Sequence, residues 1–253
     1  MRATTNVKTA VLAALAFVCG CSSHPTGVLG NGEFRYLCDG DADRACTSGE
    51  TDTDLPGAIA VGSTFQIAYK PNSSTGSSVQ GETGYEIIAA SPRLAATSAD
   101  TIAALREGYV ALLARHVGDA TIDDFVHLRF DSIRTLIANP SSVTVGAGGQ
   151  ESIALEARDA LGAPLAGRLS CQWTVTAGAP GIGFGGSPLG GSATVTAPAQ
   201  GGVTAGTVHV VCGAASVDVP VTVTGVVPAD AGSPPEGGGP VDAALTPDGG
   251  PLG

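Results

Sequence analysis

Hydrophobic and polar residues alternate with a period of two over much of the chain between residues 33 and 225. The segments "FRYLC" (34–38), "DFVHLRF" (124–130) and "ASVDVPVTVTG" (215–225) each place most of their apolar residues on one face of a strand. Clusters of Gly, Pro, Asn and Ser separate such segments, as turns between strands do. The pattern predicts an all-β protein with antiparallel sheets.

The segment 101–117, "TIAALREGYVALLARHV", fits two patterns. Ile102 and Tyr109 lie at helical spacing, whereas residues 110–114 alternate as a strand would. Gly108 lies in the middle, where it would cost a helix about 1 kcal/mol relative to Ala. Periodicity alone leaves a helix and a pair of strands both open.

Two long segments resemble group 2 bacterial immunoglobulin-like domains. The first is "IAALREGYVALLARHVGDATIDDFVHLRF" (102–130), which is similar to the last strands of that family. The second is "SSVTVGAGGQESIALEARDALGAPLAG" (141–167), which is similar to its opening strands and precedes a Trp-bearing strand, "LSCQWTVTAG" (169–178). The resemblance implies two tandem immunoglobulin-like β-sandwiches, and it implies strands for 101–117.

The organisation expected along the chain has five parts. They are a signal peptide (1–20), a tether (21–32), a divergent sandwich (33–138), a second sandwich (139–225) and a tail (226–253). The tail consists mainly of Pro, Gly, Ala and Asp with few large apolar residues, so we expect it to be disordered.

The N-terminus has the pattern of an export signal. Arg2 and Lys8 precede "TAVLAALAFV" (9–18), an apolar run too short to span a bilayer of roughly 30 Å. The next residues, "VCGC" (18–21), resemble the lipobox of bacterial lipoproteins. An ordinary cleavable signal with an incidental cysteine is the alternative.

The lipobox resemblance implies a lipid anchor in the bacterial cell envelope. It implies cleavage after Gly20 and attachment of a diacylglyceryl group to Cys21, with palmitate among the acyl chains. Ser22 stands where Asp would direct retention in the inner membrane, which favours the outer membrane, on its periplasmic or its outer surface. The mature chain would keep ten basic and 23 acidic residues, because residues 1–20 contain two basic residues and no acidic one.

Four cysteines remain beyond Cys21, and an exported protein can oxidise them. They allow three pairings, of which local spacing favours Cys38 with Cys46 and Cys171 with Cys212. Cys171 and Trp173 are two residues apart and therefore lie on the same face of a strand. In the immunoglobulin-like arrangement, a bond between Cys171 and Cys212 would join neighbouring strands of one sheet.

The first cysteine pair encloses an acidic segment. Asp39, Asp41, Asp43 and Glu50 match positions 1, 3, 5 and 12 of an EF-hand calcium loop. Position 6 is Arg44 where such loops have Gly, and no helical pattern flanks the segment. A disulfide-closed acidic turn is the favoured interpretation, and calcium binding is the alternative.

Other motifs carry weak signals. "GIGFGG" (181–186) fits G-x-G-x-x-G but lies between β patterns without the helix that a dinucleotide site needs. Ser187 lacks the final Gly of a nucleophile elbow. The histidines have no metal-ligand spacing; they are His24, His116, His127 and His209. We therefore predict no catalytic residues, no metal and no cofactor.

The sequence indicates a cell-envelope lipoprotein that acts as a non-catalytic structural or binding module. The formal net charge of −11 makes nucleic acid an improbable partner, since phosphates repel an acidic surface. The expected partners are the membrane, through the lipid anchor, and an envelope protein or polysaccharide of unknown identity. Two alternatives are a calcium- or carbohydrate-dependent adhesion module and an accessory subunit of an envelope enzyme or export complex.

Overall fold

A computed structural model describes residues 26–38, 43, 45–46, 50–72, 84–98, 101–176, 181–186, 190–199 and 205–225. The signal peptide, Cys21 and the tail lie outside these residues. The described part of the chain is built from strands and turns, without a helix. The all-β prediction is therefore confirmed.

The first half of the chain forms two packed sheets. Its strands are β1 (Gly32–Leu37), β2 (Asp52–Thr53), β3 (Ile59–Ala60), β4 (Thr64–Pro71), β5 (Tyr85–Ala89), β6 (Ala95–Ser98), β7 (Thr101–Ala104), β8 (Gly108–His116) and β9 (Ile122–Asp131). One sheet has the order β2-β1-β4-β7-β6, and the other has the order β3-β9-β8-β5. All neighbours are antiparallel except β3 and β9, which are parallel.

The second half forms another pair of sheets. Its strands are β10 (Thr135–Asn139), β11 (Val143–Gly146), β12 (Gln150–Arg158), β13 (Pro164–Leu165), β14 (Gln172–Val175), β15 (Gly183–Phe184), β16 (Ser192–Thr196), β17 (Ala205–Cys212) and β18 (Ala215–Thr224). One sheet has the order β10-β12-β16-β15, with β13 beside β12, and the other has the order β11-β18-β17-β14. Only β11 and β18 are parallel.

The two sandwiches have the same topology. Lettered A to G, each has an A-B-E-D sheet packed on an A′-G-F-C sheet, the division of strands found in immunoglobulin domains. The first sandwich differs by the chain between β1 and β3, which carries the edge strand β2 and the cysteines of the acidic segment. This insertion precedes residues 102–130, the part of the first domain whose sequence resembles the immunoglobulin-like family.

The ambiguous segment 101–117 forms β7 and β8, not a helix. Gly108 begins β8 with a φ of +140°, which is outside the range that a helix allows. Val110, Leu112 and Ala114 alternate inward and are almost completely buried. The packing of this inward face decides between the two patterns that the sequence left open.

The sandwiches are arranged head to tail. The strand β9 runs the length of the first sandwich to Asp131, and β10 of the second sandwich begins at Thr135. The strand β12 returns antiparallel to β10, so Arg158 lies back near the first sandwich. Because β18 is parallel to the outgoing strand β11, the chain reaches Gly225 at the far end of the second sandwich.

Each sandwich has a core of different composition. The first is rich in aromatic rings, including Phe34, Tyr36, Phe65 and Phe130. The second is mainly aliphatic around Trp173, whose Nε1 donates a hydrogen bond to the Gly190 carbonyl at 2.9 Å. Burial of these side chains supplies the main driving force for folding.

Both predicted disulfides are present. Cys38 bonds to Cys46, and Cys171 bonds to Cys212. The pairing of Gln172 with Val211 puts Cys171 opposite Cys212 on neighbouring strands, as expected from the sequence. Cys171 and Trp173 both face the second core and are buried.

The end of the segment predicted as a tether is part of the fold. The backbone N–H groups of Leu29, Asn31 and Gly32 donate to the carboxylate of Asp124 at 2.8, 2.8 and 3.2 Å. Asp124 is completely buried. A buried carboxylate requires several donors, so it fixes residues 26–32 as a turn on the first sandwich.

Replacing Asp124 with Ala is expected to release this turn. The change leaves buried or half-buried N–H groups without an acceptor, and we expect it to lower the free energy of unfolding by about 3 kcal/mol. Urea denaturation measures this loss, and limited proteolysis should detect new cleavage near residues 26–32. Asp218→Ala, at an exposed carboxylate of the second sandwich, is the control. Equal stability of the Asp124 and Asp218 variants would contradict the assignment.

Candidate functional site

A network of hydrogen bonds around two buried carboxylates lies at the junction between the sandwiches. Here residues 166–168 of the second sandwich run beside residues 58–64 of the first. Ala60 N donates to Ala166 O at 2.8 Å, and Ala166 N donates to Ala58 O at 3.0 Å. Thr64 and Arg168 exchange both backbone hydrogen bonds, at 3.1 and 2.8 Å. The two sandwiches are therefore joined by strand-like pairing.

The hydrophobic cores also exchange residues across the junction. Ala166 of the second sandwich packs in the core of the first. Ala58 and Ala60 of the first sandwich, together with Ile133 of the connection, pack in the core of the second. Rotation of one sandwich against the other would expose these residues, so apolar packing and backbone pairing oppose the same motion.

Asp43 provides the central polar contact of the junction. Its carboxylate oxygens accept the N–H of Gly167 at 3.0 and 3.1 Å, the N–H of Ala45 at 3.0 Å and the hydroxyl of Tyr36. The residue is only 7% exposed. A carboxylate this deeply buried is stable only when donors surround it, and one of its donors belongs to the other sandwich.

Gly167 has a conformation that other residues adopt poorly. Its φ is +108°, and a Cβ atom would lie 2.1 Å from Ser63 Oγ. Ser63 is itself buried, and its hydroxyl donates to Ala60 O at 2.7 Å. Only glycine allows the backbone to come close enough to the first sandwich for its N–H to reach Asp43.

The disulfide of the first sandwich holds Asp43 in place. Cys38 N donates to Thr51 O, and Cys46 N donates to Asp43 O, both at 3.0 Å. The bond between Cys38 and Cys46 closes the short loop that contains Asp43. The acidic turn and the disulfide thus form one unit whose buried carboxylate contacts the second sandwich.

This geometry bears on the calcium hypothesis. Both oxygens of Asp43 accept hydrogen bonds from protein donors, so the structure gives this carboxylate a role other than metal ligation. Glu50 is described and exposed. Asp39 and Asp41 lie outside the described residues. Among the described residues, no group of three or more His, Cys, Asp or Glu could hold a metal ion.

Tyr36 remains a hydrogen-bond donor under ordinary conditions. Burial, and next the negative charge of Asp43, raise the pKa of the Tyr36 phenol far above its ordinary value. The phenol is therefore protonated at neutral pH, and its hydroxyl donates to Asp43. Its ring lies in the first core, stacked near Phe65, which fixes the direction of the hydroxyl.

A second buried carboxylate, Asp159, supports the junction from the other sandwich. It accepts the N–H groups of Ala163 and Leu161 at 2.8 and 2.9 Å and pairs with Arg129 of the first sandwich at 3.0 Å. The hydrogen bond from Ala163 is the main cause that lowers the pKa of the Asp159 carboxyl. The turn "DALGAP" (159–164) is typical of an Asp that caps its own turn.

The other candidate residues are scattered. His116 lies 3.3 Å from Asp119, and His209 lies 2.6 Å from Asp218. His127 packs against the ring of Phe125. These histidines occupy separate positions on strands β8, β9 and β17, whereas His24 and Ser187 lie outside the described residues.

The glycine-rich segment 181–186 is structural. It contains the short edge strand β15, and Phe184 lies edge-on to Trp173 with ring centroids 6.4 Å apart. The next described element is β16, so the helix that a dinucleotide site requires does not follow it in the described chain.

The sequence did not reveal several residues of the junction. Tyr36 and Arg129 occur in ordinary strand patterns, and Gly167 is one of 37 glycines. Arg129 and Gly167 contact residues 30 and 124 positions away in the chain. Tyr36 is only seven residues from Asp43, but nothing in its strand pattern indicates that contact. The alternation in 124–130 puts Asp124 on the same strand face as Val126, Leu128 and Phe130, and this is the one sequence signal of a buried carboxylate.

Comparisons with known proteins give distant likenesses only. No family model matches the chain, and no curated protein matches it. Domains 4 and 5 of the S-layer protein SbsC align at 16% identity with a TM-score of 0.31, covering 77% of this chain and 98% of that chain. A longer SbsC fragment, domains 4–9, aligns at 16% identity with a TM-score of 0.32. This alignment covers 78% of this chain and 31% of that chain.

The adhesin InvE of Yersinia pseudotuberculosis aligns at 12% identity with a TM-score of 0.30, covering 78% of this chain and 61% of that chain. The endo-fucoidan hydrolase MfFcnA4 aligns at 12% identity with a TM-score of 0.32, covering 81% and 31%. Scores this low assign neither a family nor a function. The immunoglobulin-like topology rests on the strand order itself, and membership of group 2 stays a prediction.

Within the described residues, no helix is long and apolar enough to cross a membrane.

Replacing Asp43 with Ala is expected to weaken the junction. Gly167 N–H, Ala45 N–H and the Tyr36 hydroxyl lose their acceptor, and we expect the free energy of unfolding to fall by about 3 kcal/mol. Chemical denaturation measures the loss. Glu151→Ala, at an exposed carboxylate of the second sandwich, should change stability by less than about 0.5 kcal/mol. A similarly small effect of Asp43→Ala would show that the buried carboxylate does not hold the junction.

Asp159 is expected to make stability depend on acid pH. The pKa of Asp159 is lower in the folded protein than its ordinary value of 3.8. The ionised carboxylate therefore stabilises the folded state fully above pH 3.8, and this stabilisation is lost as the pH falls through the folded pKa. Asp159→Asn should therefore be less stable than wild type at pH 7, and the difference should shrink below about pH 4. Urea midpoints across this range measure it. A difference that stays constant from pH 7 to pH 3 would contradict the assignment.

Proposed function

We propose that this chain is a bacterial envelope lipoprotein whose two joined sandwiches act as a non-catalytic structural or binding module. In this proposal, the signal peptide is cleaved after Gly20, and the lipid on Cys21 holds the protein at the outer membrane. The sandwiches form a spacer that carries its second sandwich away from the lipid. The partner of that second sandwich would be an envelope protein or a polysaccharide.

The observation that carries the proposal is the head-to-tail arrangement with a fixed junction. The chain enters the first sandwich at residues 26–32 and leaves the second at its opposite end. A strand of ten residues such as β9 is about 33 Å long at roughly 3.3 Å per residue, so the junction lies about that far from the entry end. An anchored rod of this kind suits a spacer.

The junction explains how a chain of two small domains can act as one spacer. Interfaces between domains of one chain permit relative motion by default. Here, the backbone pairing at Ala166 and Arg168 and the contact of Gly167 with Asp43 oppose that motion. A rigid spacer keeps its distal surface at a defined distance from the membrane, which a flexible linker does not.

The net charge supports display in an aqueous compartment. The mature chain would carry ten basic and 23 acidic residues, a net charge of −13. Such a surface stays soluble and repels other acidic molecules. Partners with basic or uncharged polar surfaces are therefore favoured over nucleic acids.

The Cys21→Ser variant tests the anchor. It should lose the lipid, and it should either leave the membrane fraction or accumulate as the unprocessed precursor. Mass spectrometry of the N-terminal peptide and fractionation of cells measure both effects. Cys19→Ser is the matched control, since Cys19 lies two residues earlier and would leave with the signal peptide. If Cys21→Ser causes no loss of lipid mass from the N-terminal peptide and no change in fractionation, the proposal is refuted.

A further inference from the structure

Several large apolar side chains are exposed where the chain enters the first sandwich. In the turn 26–32, Val28 is 59% exposed and Leu29 is 56% exposed. In the hairpin between β8 and β9, Val117 is 61% exposed and Ile122 is 47% exposed. Single exposed apolar residues are ordinary. Four large apolar side chains exposed together at one end of a molecule indicate a contact surface.

Hydrogen bonds bring the two turns to the same end of the sandwich. Val28 N donates to Phe125 O at 2.8 Å, and Leu29 N donates to Asp124 at 2.8 Å. Both acceptors belong to the beginning of β9, close after Ile122. We call the four exposed side chains the entry surface; they are Val28, Leu29, Val117 and Ile122.

The entry surface is tied closely to the position of the proposed lipid. Five peptide units separate Cys21 from Thr26, and a fully extended chain spans at most about 3.6 Å per residue, or about 18 Å in total. Thr26 begins the turn that the buried carboxylate of Asp124 holds on the sandwich. A lipid in the bilayer therefore keeps Thr26 within about 18 Å of Cys21 at the headgroups.

We propose that the entry surface rests on the membrane that holds the Cys21 lipid, with Val28 and Leu29 among the lipid headgroups. This inference rests on the proposed lipid anchor. The contact removes apolar side chains from water, and burial of each such side chain is worth about 1.5–3 kcal/mol when it is complete. A contact at the headgroups would gain part of that amount.

Charge does not provide an alternative attraction. Asp119 in the same hairpin is 65% exposed, and the mature chain carries a net charge of −13. Anionic lipids repel such a surface. The contact is therefore apolar, and it should persist at high salt, where repulsion between charges is screened.

The consequence of this contact is an upright orientation. With the entry surface on the membrane, β9 leads away from the lipid, and the second sandwich lies beyond the junction. The lipid alone would not fix the tilt of the rod. The apolar contact at its base limits that tilt.

Tryptophan substitutions in the full chain test the contact. Leu29→Trp and Val117→Trp place an indole on the entry surface, and Leu161→Trp places one at a leucine that is 87% exposed near the junction. The natural chain has one tryptophan, Trp173, which is buried in the second sandwich and provides a constant background. The proteins are produced in a bacterial host and purified from membranes. They are then reconstituted in phosphatidylethanolamine–phosphatidylglycerol vesicles with or without acyl-brominated phospholipid, which quenches indoles on contact.

We expect brominated lipid to remove most of the emission that Leu29→Trp and Val117→Trp add, at low and at high salt. The emission of wild type and of Leu161→Trp should not change. If lipid is present on Cys21 by mass but neither entry-surface indole is quenched, the contact is wrong and the lipid anchor stands. If only one of the two is quenched, the shared surface is wrong. If Cys21 carries no lipid, the proposed function fails, and this inference fails with it.

Discussion

The buried carboxylate of Asp43 needs hydrogen-bond donors on all sides, and one of those donors, the N–H of Gly167, belongs to the other sandwich. An ionised carboxylate out of water is costly unless its oxygens are paired. The folded state therefore favours the arrangement in which residues 166–168 lie against the first sandwich. The relative position of the two halves follows from this local requirement.

The rest of the junction supports the same contact. The disulfide between Cys38 and Cys46 restricts the loop that carries Asp43, while Ser63 leaves space only for a glycine at position 167. Backbone pairing at Thr64 and Arg168 continues the contact on one side. All of these features favour one orientation of the two sandwiches.

The two sandwiches reach one topology by different means. The first packs aromatic rings and carries an insertion closed by a disulfide at its edge. The second has a mainly aliphatic core in which a disulfide joins the neighbouring strands β14 and β17 beside Trp173. The alternation of apolar residues specifies the strands in both, whereas the identity of the core residues varies freely as long as the interior is filled.

Much of the fold followed from local sequence patterns. Alternation predicted strands such as β1, β9 and β18, and spacing predicted both disulfides. Periodicity could not decide 101–117, because a half-buried strand and an amphipathic helix share several apolar positions there. The choice came from the packing of the inward face of β8 and from the pairing of β7 with β4, a contact between residues far apart in the chain.

The site was less predictable than the fold. The acidic segment around Asp43 stood out in the sequence, but its pattern suggested calcium or a surface turn. The residue instead lies buried between two sandwiches, because Tyr36 and Gly167 supply donors that no local spacing reveals. Likewise, the sequence predicts a tether for residues 26–32, whereas in the structure their N–H groups donate to the carboxylate of Asp124. Buried carboxylates depend on tertiary partners, and a single sequence does not show those partners.

The contacts at the junction are expected to make the two sandwiches one rigid body. Residual dipolar couplings of backbone N–H groups in the wild-type protein test it directly, with strands β1 to β9 and strands β10 to β18 fitted separately. A fixed junction predicts that both sets give one alignment tensor of the same magnitude and orientation. Two tensors of different magnitude would show that the sandwiches move independently and that the junction is not fixed.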